Sequence, residues 1–255
     1  MLRRLLLSPF IFFYLLSLVA CSDEAPLAVS EAEGELVIND ISREQPGQTI
    51  VLTRAAVDPD LAVEILASDG NVYRGYEYAA GATLPDRFSL IPGTYTLHAF
   101  SENQTSWTSD NEGRGSAVYE ASQEFTVETD WVTYVNLAVP MKNYGVSYTL
   151  PEGFATWFPV CTFTIAADGR ANTLTTAQTA YYDPANIEGF TFSFHLVNSD
   201  GEVYDIEPQT YKNPKAGIVY NVNLAFASDD DPTKLKIGIS YDDTYEEIVH
   251  EITLY

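Results

Sequence analysis

Basic residues are scarce in this chain. Among 255 residues only 13 are Lys or Arg, against 36 Asp or Glu, for a formal net charge of −23. Nucleic-acid affinity depends on Lys and Arg neutralising phosphates, so that class of function is excluded. The same balance favours solubility and neutral or cationic partners. Cysteine is scarcer still, with Cys21 and Cys161 alone. Cys161 shares a face with Phe163 and Ile165 in an alternating segment and reads as a core thiol rather than a nucleophile. The three histidines, His98, His195 and His250, fall in separate segments. No His-x-His, His-Glu-x-x-His or paired Cys occurs, which disfavours zinc. Gly113-Arg114-Gly115-Ser116 does not complete a Gly-x-Ser-x-Gly elbow, and no glycine-rich phosphate loop follows a strand. These absences describe a protein without catalytic chemistry and without a cofactor.

What is present starts at the N-terminus. Arg3 and Arg4 precede an apolar run, Leu5 to Leu7 and Phe10 to Leu16, which closes on Leu18-Val19-Ala20-Cys21. A basic start, a short apolar stretch and small residues before a cut describe an export signal over residues 1–20. Leu-Val-Ala-Cys resembles a bacterial lipobox. That resemblance implies lipidation of Cys21, with each buried acyl methylene contributing about 0.8 kcal/mol to anchoring. Residues 21–33 then read as a lipidated acidic tether. Its Ser22-Asp23-Glu24 resembles the acidic export signal of surface lipoproteins in Bacteroides-type bacteria, which implies the outer face of the outer membrane.

The remainder reads as strands. Segments of five to eleven residues rich in Val, Ile, Thr, Tyr and Phe are expected near 35–41, 49–54, 62–67, 72–77, 87–91, 94–101, 117–127 and 131–139. A second set is expected near 143–150, 160–166, 172–178, 189–198, 202–206, 217–227, 234–241 and 247–255. Alternation is cleanest in Phe190, Phe192, Phe194, Leu196 and in Tyr220, Val222, Leu224, Phe226. Period two with one apolar face is the pattern of sheets packed on one side. After the export signal no window sustains a 3.6 period over the length of a helix. The fold class expected is all-β, as a sandwich or barrel.

Asp69-Gly70, Asp168-Gly169 and Asp200-Gly201 each follow an apolar strand and mark hairpin turns. Two Pro-then-Gly strands, at Pro92-Gly93-Thr94-Tyr95 and Pro214 to Tyr220, follow the first and third of these turns. Aligning them sets 62–101 against 190–227 as a weak internal repeat and implies two similar sandwiches in tandem. The boundary falls at Val139-Pro140-Met141-Lys142, giving an N-terminal sandwich over 34–140 and a C-terminal one over 141–255.

Two loops carry aromatic residues outside clear alternation. Trp107, and Trp157 with Phe158, read either as contacts for a sugar or protein or as lids over the core. Asp229-Asp230-Asp231 is the acidic loop open to calcium or to a simple solvated turn, since it lacks EF-hand spacing.

The lipobox with its acidic follower, the first strand Gly34-Glu35-Leu36-Val37-Ile38, the Pro92-Gly93-Thr94-Tyr95 strand and the tandem β halves together resemble the fimbrillin-like lipoproteins of Bacteroides-type bacteria. The resemblance implies two tandem transthyretin-like antiparallel β-sandwich domains after a lipoprotein signal peptide. It implies a non-enzymatic structural or adhesive role as an anchor, tip or accessory component of a type V pilus. Partners would be the outer membrane, through the lipid, and other pilus subunits by strand exchange. In polymerising members an arginine-specific protease removes the first strand, which points to Arg43 and Arg54 as candidate cleavage positions. The alternative reading is a glycan-binding surface lipoprotein of a nutrient-uptake system.

Overall fold

Alternating strands need a second apolar face to bury their own, and this chain supplies that face twice. The computed structural model describes residues 32–44, 57–185, 188–228 and 231–254. The strands of the first half are β1 (Gly34–Arg43), β2 (Ala62–Ala67), β3 (Val72–Tyr78), β4 (Phe88–Leu90), β5 (Gly93–Phe100), β6 (Glu120–Val127) and β7 (Val132–Val139). Those of the second half are β8 (Tyr144–Thr149), β9 (Val160–Ala167), β10 (Arg170–Leu174), β11 (Ala180–Tyr182), β12 (Gly189–Val197), β13 (Val203–Lys212), β14 (Val219–Ser228), β15 (Asp231–Tyr241) and β16 (Thr244–Thr253). The segment 1–20 expected to be an export signal, Cys21, the strand expected near 49–54, Arg54, Asp229 and Asp230 lie outside the described residues.

β1 to β7 form two sheets, ordered β4-β1-β7 and β3-β2-β5-β6. Their inner faces meet in one core that includes Leu36, Ile41, Ile65, Leu97 and Val139. β8 to β16 form β11-β8-β14-β15-β16 and β10-β9-β12-β13 around a second core. There Phe190, Phe192, Phe194 and Leu196 all point inward. Burying a side chain of this size contributes about 1.5–3 kcal/mol. The molecule is therefore all-β, built as two sandwiches. Each sandwich also holds one parallel pair, β1 with β7 and β8 with β14.

The internal repeat is real, but its phase differs from the one expected. β1 to β7 correspond one to one, in order, with β8 to β14. Every neighbour relation of the first half recurs in the second with the same direction: β1–β4 as β8–β11, β2–β3 as β9–β10, β2–β5 as β9–β12, β5–β6 as β12–β13. The Pro92-Gly93 strand β5 thus matches β12, not β14, and the Asp69-Gly70 hairpin matches Asp168-Gly169. The expected phase followed turn residues, which any hairpin uses and which do not mark position in a topology. All three Asp-Gly pairs do join antiparallel neighbours. Asp168 and Gly169, with φ of 51° and 69°, both take the positive φ of a two-residue hairpin turn. β15 and β16 have no counterpart in the first half. They cover the edge of β14, and the equivalent edge of β7 has no paired strand among the described residues.

The two halves meet through the segment between β5 and β6 and the connection 140–143. The buried Asn143 side chain accepts from Val118 N–H at 3.1 Å and donates to Ser116 O at 2.8 Å. Its own carbonyl accepts from Gly217 N–H at 2.9 Å. Tyr181 N–H donates to Arg114 O at 2.7 Å. The guanidinium of Arg170 in β10 lies over the rings of Trp107 and Tyr182, at 5.0 and 4.7 Å from their centroids. It donates to the carbonyls of Thr108, Gly113 and Tyr181. Gly115 fits this contact at φ +82, where a Cβ would meet Trp107 at 3.1 Å.

Candidate functional site

The turn after β8 begins Pro151-Glu152-Gly153. Gly153, at φ 75°, redirects the chain into a single helical turn, Phe154–Trp157. Phe154 and Phe158 stand four residues apart on one face of that turn, and their rings stack at 4.9 Å inside the second core. Trp157 sits at the border of this face and is 50% exposed. Its carbonyl accepts from Ser199 N–H at 3.2 Å, which docks the turn on the β12–β13 hairpin.

That hairpin is organised by Asn198. Its Oδ1 accepts from the N–H groups of Asp200 and Glu202 at 3.0 and 2.9 Å. Its amide nitrogen donates to Glu202 Oε2 at 2.7 Å, and the Tyr204 hydroxyl donates to the same oxygen at 2.8 Å. These two donors, Tyr204 first, hold the Glu202 carboxyl below its ordinary pKa. Between turn and hairpin lies a cavity of ≈ 270 Å³, lined by Trp157, Phe158, Asp200, Glu202, Tyr204 and Leu254 among others. Val160, Val197 and Val203 stand side by side across β9, β12 and β13 beyond it. Val160 and Val203 are exposed.

Strand directions set where this pocket stands. β7 runs into residues 140–143, and β1 is parallel to β7, so Gly34 opens β1 at the end of the first sandwich away from the junction. β8 leaves the junction and delivers Trp157 to the opposite end of the second sandwich.

The other residues singled out in the sequence lie elsewhere. Phe158 is buried and forms part of the pocket floor. Trp107 is engaged by Arg170 inside the junction. Arg43 ends β1, with its Nε 2.7 Å from Asp58 and its Nη2 2.7 Å from Asp60, and its guanidinium lies over the Tyr119 ring at 5.3 Å. Asp231 opens β15. His98 stands between Glu64 at 3.3 Å and Glu120 at 3.2 Å. Those carboxylates take opposite ring nitrogens, an arrangement that does not converge on one metal ion. His195 is exposed and paired with Asp205 at 2.7 Å. Among the described residues no group of three or more His, Cys, Asp or Glu is placed to hold a metal. No described helix is long and apolar enough to cross a membrane. Cys161 packs against the second core, and burial pushes its thiol up to about 11. Sequence reasoning missed Arg170, Asn143 and the Asn198–Glu202–Tyr204 network. Only the last had a local sign, the Asn198-Ser199-Asp200-Gly201 turn.

Fold and site together define a two-sandwich all-β protein with an aromatic, acidic pocket at the end of its second sandwich. The chain belongs to the DUF4493 family, a domain of unknown function, whose model matches residues 32–255. No curated protein matches it. Among solved structures it is similar to a candidate cell adhesion protein from Bacteroides uniformis, at 11% identity and a TM-score of 0.47, over 84% of this chain and 99% of that one. A candidate cell adhesion protein from Bacteroides eggerthii is similar at 8% identity and a TM-score of 0.45, over 86% and 98%. A fimbrial assembly protein from Parabacteroides distasonis is similar at 10% identity and a TM-score of 0.41, over 84% and 98%.

Proposed function

We propose that this is a lipid-anchored cell-surface protein with a structural or adhesive role, fimbrillin-like, of the anchor, tip or accessory kind. The observation that carries this reading is the opposition of its ends. Gly34 opens the first sandwich at its free end, and the exposed Trp157 pocket stands at the free end of the second. A first strand that starts at one end and a contact surface at the other is the layout an adhesive surface protein needs. The junction through Arg170 and Asn143 supports it, because it joins the two sandwiches by packing and hydrogen bonds rather than by a flexible linker.

The protein keeps its first strand. β1 is the central strand of its sheet and buries Leu36 and Ile41 completely. Arg43 is held by two carboxylates, so cutting after it requires the end of β1 to open. The test is the N-terminus of protein recovered from cells, read by mass spectrometry. Acylated Cys21 is expected, and Cys21→Ala should leave the membrane fraction. A free N-terminus at Glu44 or Ala55, together with high-mass ladders, would overturn the reading.

A further inference from the structure

We propose that the Trp157 pocket captures a cationic side chain, arginine or lysine, presented by a protein partner. This rests on the surface-contact reading above and names the chemistry of that contact. At ≈ 270 Å³ the cavity is smaller than the usual small-molecule site of about 300–1,000 Å³, and suits one long side chain. The half-exposed indole offers a face to which a cation is drawn by the ring quadrupole.

Charge selects the occupant. Among the described residues the lining holds two carboxylates, Asp200 and Glu202, and no Lys, Arg or His. The Asp200 carboxylate makes no hydrogen bond or ion pair among the described residues, and its backbone N–H is tied to Asn198. Glu202 is fixed through Oε2 by Asn198 and Tyr204, which leaves Oε1 to a ligand. One positioned carboxylate and one unpaired carboxylate lining the same cavity as an indole match the fork of a guanidinium or the point charge of an ammonium. Phosphate, sulfate and uronate ligands meet repulsion there. A neutral sugar could stack on the indole but would gain nothing from either charge. The net charge of −23 adds a long-range field that draws cations towards the surface.

The experiment is a titration of the ¹⁵N-tryptophan-labelled protein with N-acetyl-argininamide, followed through its three indole N–H signals. The signal that disappears in Trp157→Phe should shift and saturate, while those of Trp107 and Trp131 stay in place. Asp200→Asn should weaken binding about two- to fivefold, the span of an exposed ion pair. Added salt should weaken it further. The inference is overturned if the Trp157 signal does not move, or if all three signals drift without saturating. It is also overturned if methyl glucoside shifts the Trp157 signal as strongly and salt has no effect. These outcomes leave the N-terminal result on cells untouched, so the contact chemistry and the anchored surface role fail separately.

Discussion

Replacing Arg170 by Ala should loosen the joint between the sandwiches. The side chain reaches from β10 across to the segment between β5 and β6, with its guanidinium over the rings of both Trp107 and Tyr182. Each cation–π contact is worth about 0.5–2 kcal/mol, with the upper end for desolvated pairs. Its bonds to Thr108 O and Gly113 O are long, at 3.5 and 3.3 Å, so the Tyr181 carbonyl is the acceptor that counts. A hydrogen bond from a charged donor contributes about 1.5–3 kcal/mol net. Against this stands the cost of holding a guanidinium partly out of water, which the variant recovers. The expected loss is about 2–4 kcal/mol. With a urea slope near about 3 kcal/mol/M, the upper end of the usual range because the slope grows with chain size, this moves the unfolding midpoint by about 0.7–1.3 M. Trp107 should report the change directly, measured in a background carrying Trp131→Phe and Trp157→Phe. Its emission should shift before global unfolding, as the first sandwich loses its cover. Arg170→Lys should recover less than half, because an ammonium cannot bridge two rings and three carbonyls. Arg87→Ala is the control, a surface pair with Glu35 and no aromatic ring beneath its guanidinium among the described residues, and should cost less than about 1 kcal/mol. A loss below about 0.5 kcal/mol in Arg170→Ala, with Trp107 emission unchanged, would refute the reasoning.

Phe192→Ala should cost about 3–5 kcal/mol. The ring packs against Phe163, Phe190 and Phe194 at centroid distances of 6.1, 6.2 and 6.4 Å. Thr191→Ala on the outer face of the same strand should cost under about 1 kcal/mol, and equal losses from the two would mean the strand face is misassigned. Stability should also fall at alkaline pH. Burial raises the Cys161 thiol to about 11 and raises the fully buried Tyr144 phenol further. Both groups stay protonated in the fold while the unfolded chain ionises. The Cys161 contribution is therefore intact below about pH 8.5 and that of Tyr144 below about pH 10, and each declines above its onset by up to about 1.4 kcal/mol per pH unit. Urea midpoints compared at about pH 8 and pH 10.5 check this, and equal midpoints would contradict it.

Much of the strand layout was legible in the residues. Phe190 to Leu196 alternates without interruption, and a strand with one apolar face has no other stable use for that pattern. The expected strand near 62–67 matches β2, and the three Asp-Gly pairs fell at hairpins because few dipeptides meet positive φ so cheaply. The second half of β13 and the short β11 were not legible. Gln209 to Lys212 carry little alternation, and three residues at Ala180–Tyr182 carry no period at all. The repeat was visible but misaligned, since Pro and Gly mark a turn wherever one is needed and say nothing about which strands will be neighbours.

The candidate site divides the same way. Composition determined by itself that the surface would be strongly acidic, and local pattern determined that Trp157 and Trp107 would lie outside the strands. Those are properties of a residue and its immediate neighbours. Which Trp would face solvent was decided only when the sheets packed. Arg170 stands 63 positions after Trp107 and covers it, while Phe154 and Phe158 turn inward and leave Trp157 half exposed beside Asp200 and Glu202. Contacts of that kind join residues far apart in the chain, and their partners are set by β-sheet order, which short-range alternation does not encode.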